Sequence, residues 1–217
     1  MSQSLITLNG NSVTLVALPA APALRAVQFD LMDAVSIVAS PFTGQTQSQS
    51  WPGADMWSAQ LTLPPMPQAT AKLWIAFLMQ MRGIANAMQI GDPMGTAPSG
   101  SALGAPAADG TIAGGNAPGS TSLNTKGWPV STNGLLLPGD YLQIGYRLHR
   151  VLDQVNSDVN GKAVLNVWPS LRETPPDGEL LVLNNPVGLF RLGSNKRTWN
   201  SDYTKITRIS FPILEYR

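Results

Sequence analysis

Short stretches of alternating apolar and polar residues, divided by turn signals, recur along this chain, and one stretch repeats with the 3.6-residue period of a helix. The densest strand-and-turn signals run from Leu135 to Leu192. Pro138-Gly139-Asp140 predicts a turn, and Tyr141–Leu152 a half-buried strand. On that strand Tyr141, Gln143 and Gly145 share one face, and Leu142, Ile144, Tyr146, Leu148 and Arg150 the other. Asn160-Gly161 predicts a tight hairpin, because both residue types tolerate the positive φ of a type I′ turn. Lys162–Trp168 is the return strand, stopped by Pro169, and Pro175-Pro176-Asp177-Gly178 turns the chain into Glu179–Leu183.

The first third reads in the same way. Ser4–Val16 is a hairpin about Asn9-Gly10-Asn11. Strands follow at Leu24–Phe29 and Ala34–Ala39, the latter expected to give Val35, Ile37 and Val38 to a core. Gln45–Gln49 alternates as an exposed strand would, and Ser58–Leu63 and Asn86–Ile90 are further strands. After Pro64-Pro65-Met66-Pro67 comes the one helical pattern, about residues 69–82. Thr70 is its expected cap, Leu73, Trp74, Phe77, Leu78 and Met81 form an apolar stripe, and Gly83 stands where a helix ends. Met79 and Met81 lie on or beside that stripe and are expected to pack.

From Met94 to Gly127 the chain is almost wholly Gly, Ala, Ser, Thr and Pro. Asp109 and Lys126 are its only charges, and Ile112 and Leu123 are isolated apolar residues. This composition predicts a loop or linker, here an extended arm lying against neighbouring subunits. The last alternating strand is Lys205–Leu214. The segment 191–217 carries six Lys/Arg (Arg191, Lys196, Arg197, Lys205, Arg208, Arg217) against Asp202 and Glu215. Together these patterns predict a mainly β chain: a sandwich or barrel domain with one packed helix (1–92), a Gly/Ala/Ser-rich arm (93–126), and a second small barrel-like domain (127–217). The last strand of the second domain is free to return to the first.

Composition narrows the function. Hydrophobic residues make up 43% of 217, enough for a core, but charged residues only 12%, about half the usual share. A surface so poor in charge suits a subunit covered by an assembly. The net charge of +1 gives no footprint for nucleic acid or an anionic membrane. With no cysteine there is neither disulfide nor thiolate metal site, as expected of assembly in a reducing cytoplasm. Met1–Ser4 lacks the positive start of an export signal, and the longest apolar run, Leu73–Met79, is too short to span a bilayer.

The search for chemistry returns no catalytic, cofactor or metal residue. His149, the single histidine, sits mid-strand without a nucleophile elbow. Residues 156–161 resemble the first half of a calcium loop, but Val167 stands where the bidentate Glu belongs. Asp153, Asp158, Glu173, Asp177 and Glu179 would serve a glycan hydrolase only if two of them converged. Trp51, Trp57, Trp128 and Trp199 would be stacking platforms of a carbohydrate- or receptor-binding module if exposed, and core anchors otherwise.

Three blocks in order carry a resemblance. They are the Trp-rich strand leading through Leu63-Pro64-Pro65-Met66 to the helix AKLWIAFL, then Gln89-Ile90-Gly91-Asp92-Pro93, then PGDYLQIGYRLHRV through PDGELLVLNNPVGLFRL. This order is similar to tail-tip and baseplate proteins of long-tailed bacteriophages, most like the distal tail protein, over about residues 27–93 and 127–192. The resemblance implies a structural virion protein forming a hexameric ring between tail tube protein and tail-tip hub protein. It also implies a β-sandwich or barrel fold with no catalytic residues. Such a protein is expected at the phage tail tip after assembly in the host cytoplasm.

Overall fold

The structure, a computed structural model, describes residues 2–8, 10–102, 110–201, 203 and 205–217. Strands hold 42% of the chain and the single described helix 6%, so the fold is mainly β. The chain divides into two compact units, both discontinuous in sequence: 1–30, 57–93 and 187–217 in the first, 31–56 and 94–186 in the second.

The first unit is built on one large sheet. Its strands are β1 (Gln3–Leu8), β2 (Asn11–Val16), β3 (Ala26–Met32), β6 (Met56–Thr62), β8 (Ala87–Ile90), β14 (Gly188–Leu192) and β16 (Ile206–Glu215), with β7 (Met66–Pro67) and β15 (Trp199–Ser201) alongside β16. Among the described residues the order is β1-β2-β8-β14-β16-β6-β3, so β1 and β3 are its outer strands. β2 pairs with β8 in parallel, Leu15 opposite Ala87. The alternation in β16 puts Thr207, Ile209, Phe211 and Ile213 inside and Arg208, Ser210 and Pro212 outside. The helix α1 (Gln68–Gln80) packs its Trp74 ring edge-on to Phe77 at 5.6 Å and 6.5 Å from Phe211. Trp57 and Phe190 are buried, with Phe29 ring contacts to both.

The second unit is a small barrel plus a hairpin. The barrel ladder runs β11 (Tyr141–Ile144), β12 (Arg147–Val151), β13 (Lys162–Trp168), β10 (Ser122–Lys126), β9 (Thr111–Ile112). The ring closes through residues 180–182. Leu180 bridges Thr111, Val182 bridges Gln143, and Gln143 and Val182 exchange backbone bonds of 2.8 and 3.0 Å. Ile112, Leu123, Trp128, Leu136, Leu142, Leu165, Val167 and Leu183 fill the interior. The hairpin β4 (Val35–Ala39) and β5 (Thr46–Ser50) is a two-stranded sheet of its own.

Several expectations change. The arm of 93–126 is not an arm: its described parts belong to the second unit, and β9 and β10 are staves of the barrel, with Ile112 and Leu123 fully buried. Residues 103–109, including Asp109, lie outside the described residues. Here glycine permits close approach rather than flexibility. A Cβ on Gly95 would overlap the Tyr141 ring, on Gly100 the Leu135 carbonyl, and on Gly110 the Trp128 indole. The 1–92 and 127–217 division changes too. Residues 31–56 join the second unit, and β14, β15 and β16 join the first.

Within elements, Tyr141–Leu152 is two strands rather than one, because Gly145 takes φ +54° and reverses the chain, pairing Ile144 with Arg147. Gly161 takes φ +69°, but β12 and β13 pair only at Arg150–Trp168 and Val151–Val167, so a longer loop joins them. The helix starts at Gln68 after Pro67 with no side-chain cap, so Thr70 lies inside its first turn. Leu73 and Met79 face solvent, whereas Trp74, Phe77, Leu78 and Met81 are buried. Val35, Ile37 and Val38 are exposed, because β4 pairs only with the polar β5.

Replacing Gly110 by Ala is expected to destabilise the chain by about 1–3 kcal/mol through overpacking against Trp128. Urea unfolding followed by tryptophan emission measures this, and an unchanged midpoint would refute close packing as the reason for that glycine.

Candidate functional site

The residues weighed for catalysis fall into separate settings. His149 is 2% exposed on β12. Its Nδ1 lies 2.7 Å from the Pro169 carbonyl, which can only accept, so Nδ1 carries the proton and the ring is held as part of the core. Asp158 is a turn residue, its Oδ1 accepting the Asn160 and Lys162 amides at 2.8 Å each. Those two bonds, the Lys162 amide first, hold its carboxyl below the usual range. The calcium-like loop is therefore occupied by its own backbone. Asp153 accepts from Asn166, and Asp177 pairs with Lys126 at 2.5 Å.

One carboxylate pair does converge. Burial first, and then the charge of Glu173, push the Glu179 carboxyl up. Glu173 lies 3.6 Å from the buried Arg147, and the Glu179 side chain lies against Gly145. Neither carboxylate lines any of the three grooves described below. Among the described residues no group of three His, Cys, Asp or Glu is placed to hold a metal, and no helix is long and apolar enough to cross a membrane.

The tryptophans separate by role. Trp57 and Trp128 are buried, the latter donating from Nε1 to Thr125 Oγ1 at 2.7 Å. Trp51 and Trp199 are 47% and 40% exposed. Trp51 is joined by Trp168, which pattern reading had treated only as a strand end. Both line a groove of about 440 Å³ in the second unit, with Asp33, Val35, Pro52 and Asp55 in its wall.

A polar cluster fixes that wall. Asp55 Oδ1 and Oδ2 accept from Ser170 Oγ and the Ser170 amide at 2.5 and 2.6 Å, and Arg172 lies 3.2 Å from Oδ1. Arg172 also donates to the Gly53 and Asp55 carbonyls, and the Gly53 amide donates to Ser170 Oγ at 2.9 Å. On the other hairpin root, Trp168 Nε1 donates to Asp33 Oδ1 at 2.9 Å, and the Trp51 amide bonds the Ala34 carbonyl at 3.1 Å. Both roots of the β4–β5 hairpin are thus tied to residues 168–172 of the barrel. Burial pushes the Asp55 carboxyl up, but the two Ser170 bonds and the Arg172 charge outweigh it and leave it lowered. Sequence reading missed Asp33, Asp55, Ser170 and Arg172, since no local pattern links positions about 115 apart.

Two further grooves carry polar side chains among apolar ones. One of about 630 Å³ crosses the barrel between Asn124, Asn156, Asp158 and Lys162, and one of about 530 Å³ in the first unit lies among Gln3, Thr14, Gln80 and Arg82. In comparisons with known proteins, no family model matches the chain and no curated protein matches it.

Asp55→Ala leaves Arg172 buried without its carboxylate and is expected to cost about 3 kcal/mol at neutral pH. Because the folded-state carboxyl is lowered, its contribution is complete above the ordinary value of 3.8 and is lost as pH falls through the lower folded value. Wild-type and variant urea midpoints should therefore converge only below that pH. Glu179 has the opposite sign. Glu179→Gln should raise the urea midpoint at neutral pH, with the gain vanishing as pH falls below 4.5.

Proposed function

We propose that this chain is a structural subunit of a self-associating ring at the distal tail or baseplate of a long-tailed bacteriophage, linking tail tube to tail-tip hub. The observation that carries this reading is the β4–β5 hairpin. A two-stranded ribbon is marginal alone, and this one exposes Ile37 (67%), Val38 (68%) and, at its tip, Phe42 (94%). Exposed apolar surface of this kind marks an interaction site. Tying both hairpin roots to the barrel orders the ribbon before binding, which lowers the entropy lost on association. The outer strands β1 and β3 of the large sheet, edges among the described residues, are suited to strand addition. The low charge content and the order of the three resembling sequence blocks agree with this reading.

A host-surface carbohydrate-binding module is the second reading, favoured by the half-exposed Trp51 and Trp199. It is the weaker one, because Trp57 and Trp128 are buried and unavailable for stacking.

Light scattering after size exclusion is expected to give a closed assembly of about six copies. Ile37→Asp combined with Phe42→Asp should reduce it to a folded monomer, with an unchanged far-ultraviolet circular dichroism spectrum. A strict monomer at every concentration, with no cross-linked ladder, overturns the ring.

A further inference from the structure

The groove at the hairpin root has an unusual balance of polar groups. Its donors are largely consumed within the fold: Trp168 Nε1 by Asp33, Ser170 Oγ by Asp55, and the Gly53 amide by Ser170. Asp55 is neutralised by Arg172. Facing the groove are the exposed Asp33 carboxylate, whose Oδ1 alone is engaged, the indoles of Trp51 and Trp168 in its wall, and the Ser50 and Thr121 hydroxyls. Among the described residues no cation lies within ion-pair distance of Asp33. One negative charge beside two indoles is the complement of a cation, since the ring quadrupole and the carboxylate attract the same sign. A sugar would need several donors that this wall has already spent, and an anion would meet Asp33.

The same chain carries the matching charge. Lys196, Lys205 and Arg208 are exposed and have no carboxylate partner among the described residues. Glu215, one of two acids in that segment, is buried and accepts the Trp57 amide. We propose that the Asp33–Trp51–Trp168 groove seats a lysine or arginine side chain from residues 191–217 of a second copy of this chain. This contact rests on the ring reading and gives it a direction. A groove on one copy receiving a different surface of the next is heterologous, the geometry that closes rings. The groove also adjoins the exposed hairpin, since Val35 and Ser50 belong to both.

Two measurements on the full chain test it. Argininamide titrated against tryptophan emission should give saturable quenching, and Asp33→Asn should weaken the apparent affinity about fivefold. Asn keeps an oxygen acceptor for Trp168 Nε1, which guards against misfolding. In light scattering, Asp33→Lys should lower the assembled fraction, and one of Lys196→Glu, Lys205→Glu or Arg208→Glu should restore it in the double variant. Assembly unaffected by Asp33→Lys overturns the groove contact while leaving the ring intact. Saturable quenching in a chain that never assembles overturns the second copy as occupant, and the ring reading with it. Quenching that does not saturate, or that Asp33→Asn leaves unchanged, overturns the cation site.

Discussion

The pairing of β16 is the interaction on which the first unit depends. Its ten residues run beside β14 and β6, and its early residues also meet β15 and β7. Strands from near residue 60 and near residue 190 are thereby held by a strand at the very end of the chain. Alternation makes this workable, because Ile209, Phe211 and Ile213 all face inward while the ladder is satisfied on both sides. Pro212 lacks an amide donor, yet it sits opposite Gln60 in this interior strand and its carbonyl accepts the Gly193 amide. Contacts of such sequence separation cost loop-closure entropy before they yield packing, so this unit is expected to form late in folding.

The barrel of the second unit is held by a different means. Its glycines bring backbone against large groups: Gly110 on the Trp128 indole, Gly95 on Tyr141, Gly161 on the Trp128 carbonyl. Trp128 in turn donates to Thr125 Oγ1, whose hydroxyl donates to the Ala163 carbonyl. A composition that reads as flexible is thus spent on tight contacts around one aromatic residue. Asn116 shows the same economy, its side chain bonding the Ala113 and Asn124 carbonyls and the Asn124 amide in place of a strand partner.

The hairpin and its roots connect stability with the proposed function. Asp55, Ser170 and Arg172 form a mostly buried polar network whose members satisfy one another, and such networks favour a single geometry when complete. The ribbon they hold exposes apolar side chains that its polar partner strand cannot cover. Exposed apolar residues on an ordered ribbon and a charge-poor surface both fit a protein whose neighbours complete it.

Local pattern alone determined much of the element inventory. The N-terminal hairpin, β6, β8, β13, the helix and β16 were legible because each has a periodicity that backbone geometry imposes within a few residues. The mainly β class followed from their number. What only the tertiary structure decided was pairing, and with it burial. Val35, Ile37 and Val38 have the pattern of core residues, yet they are exposed, since among the described residues β4 pairs with the polar β5 alone. Ile112 and Leu123 look isolated in a Gly-rich run, yet they are buried because that run closes a barrel. The Asp55–Arg172 contact and the Trp51–Trp168 groove join residues more than a hundred positions apart. Periodicity reports which face of an element is apolar, whereas long-range packing decides what, if anything, that face meets.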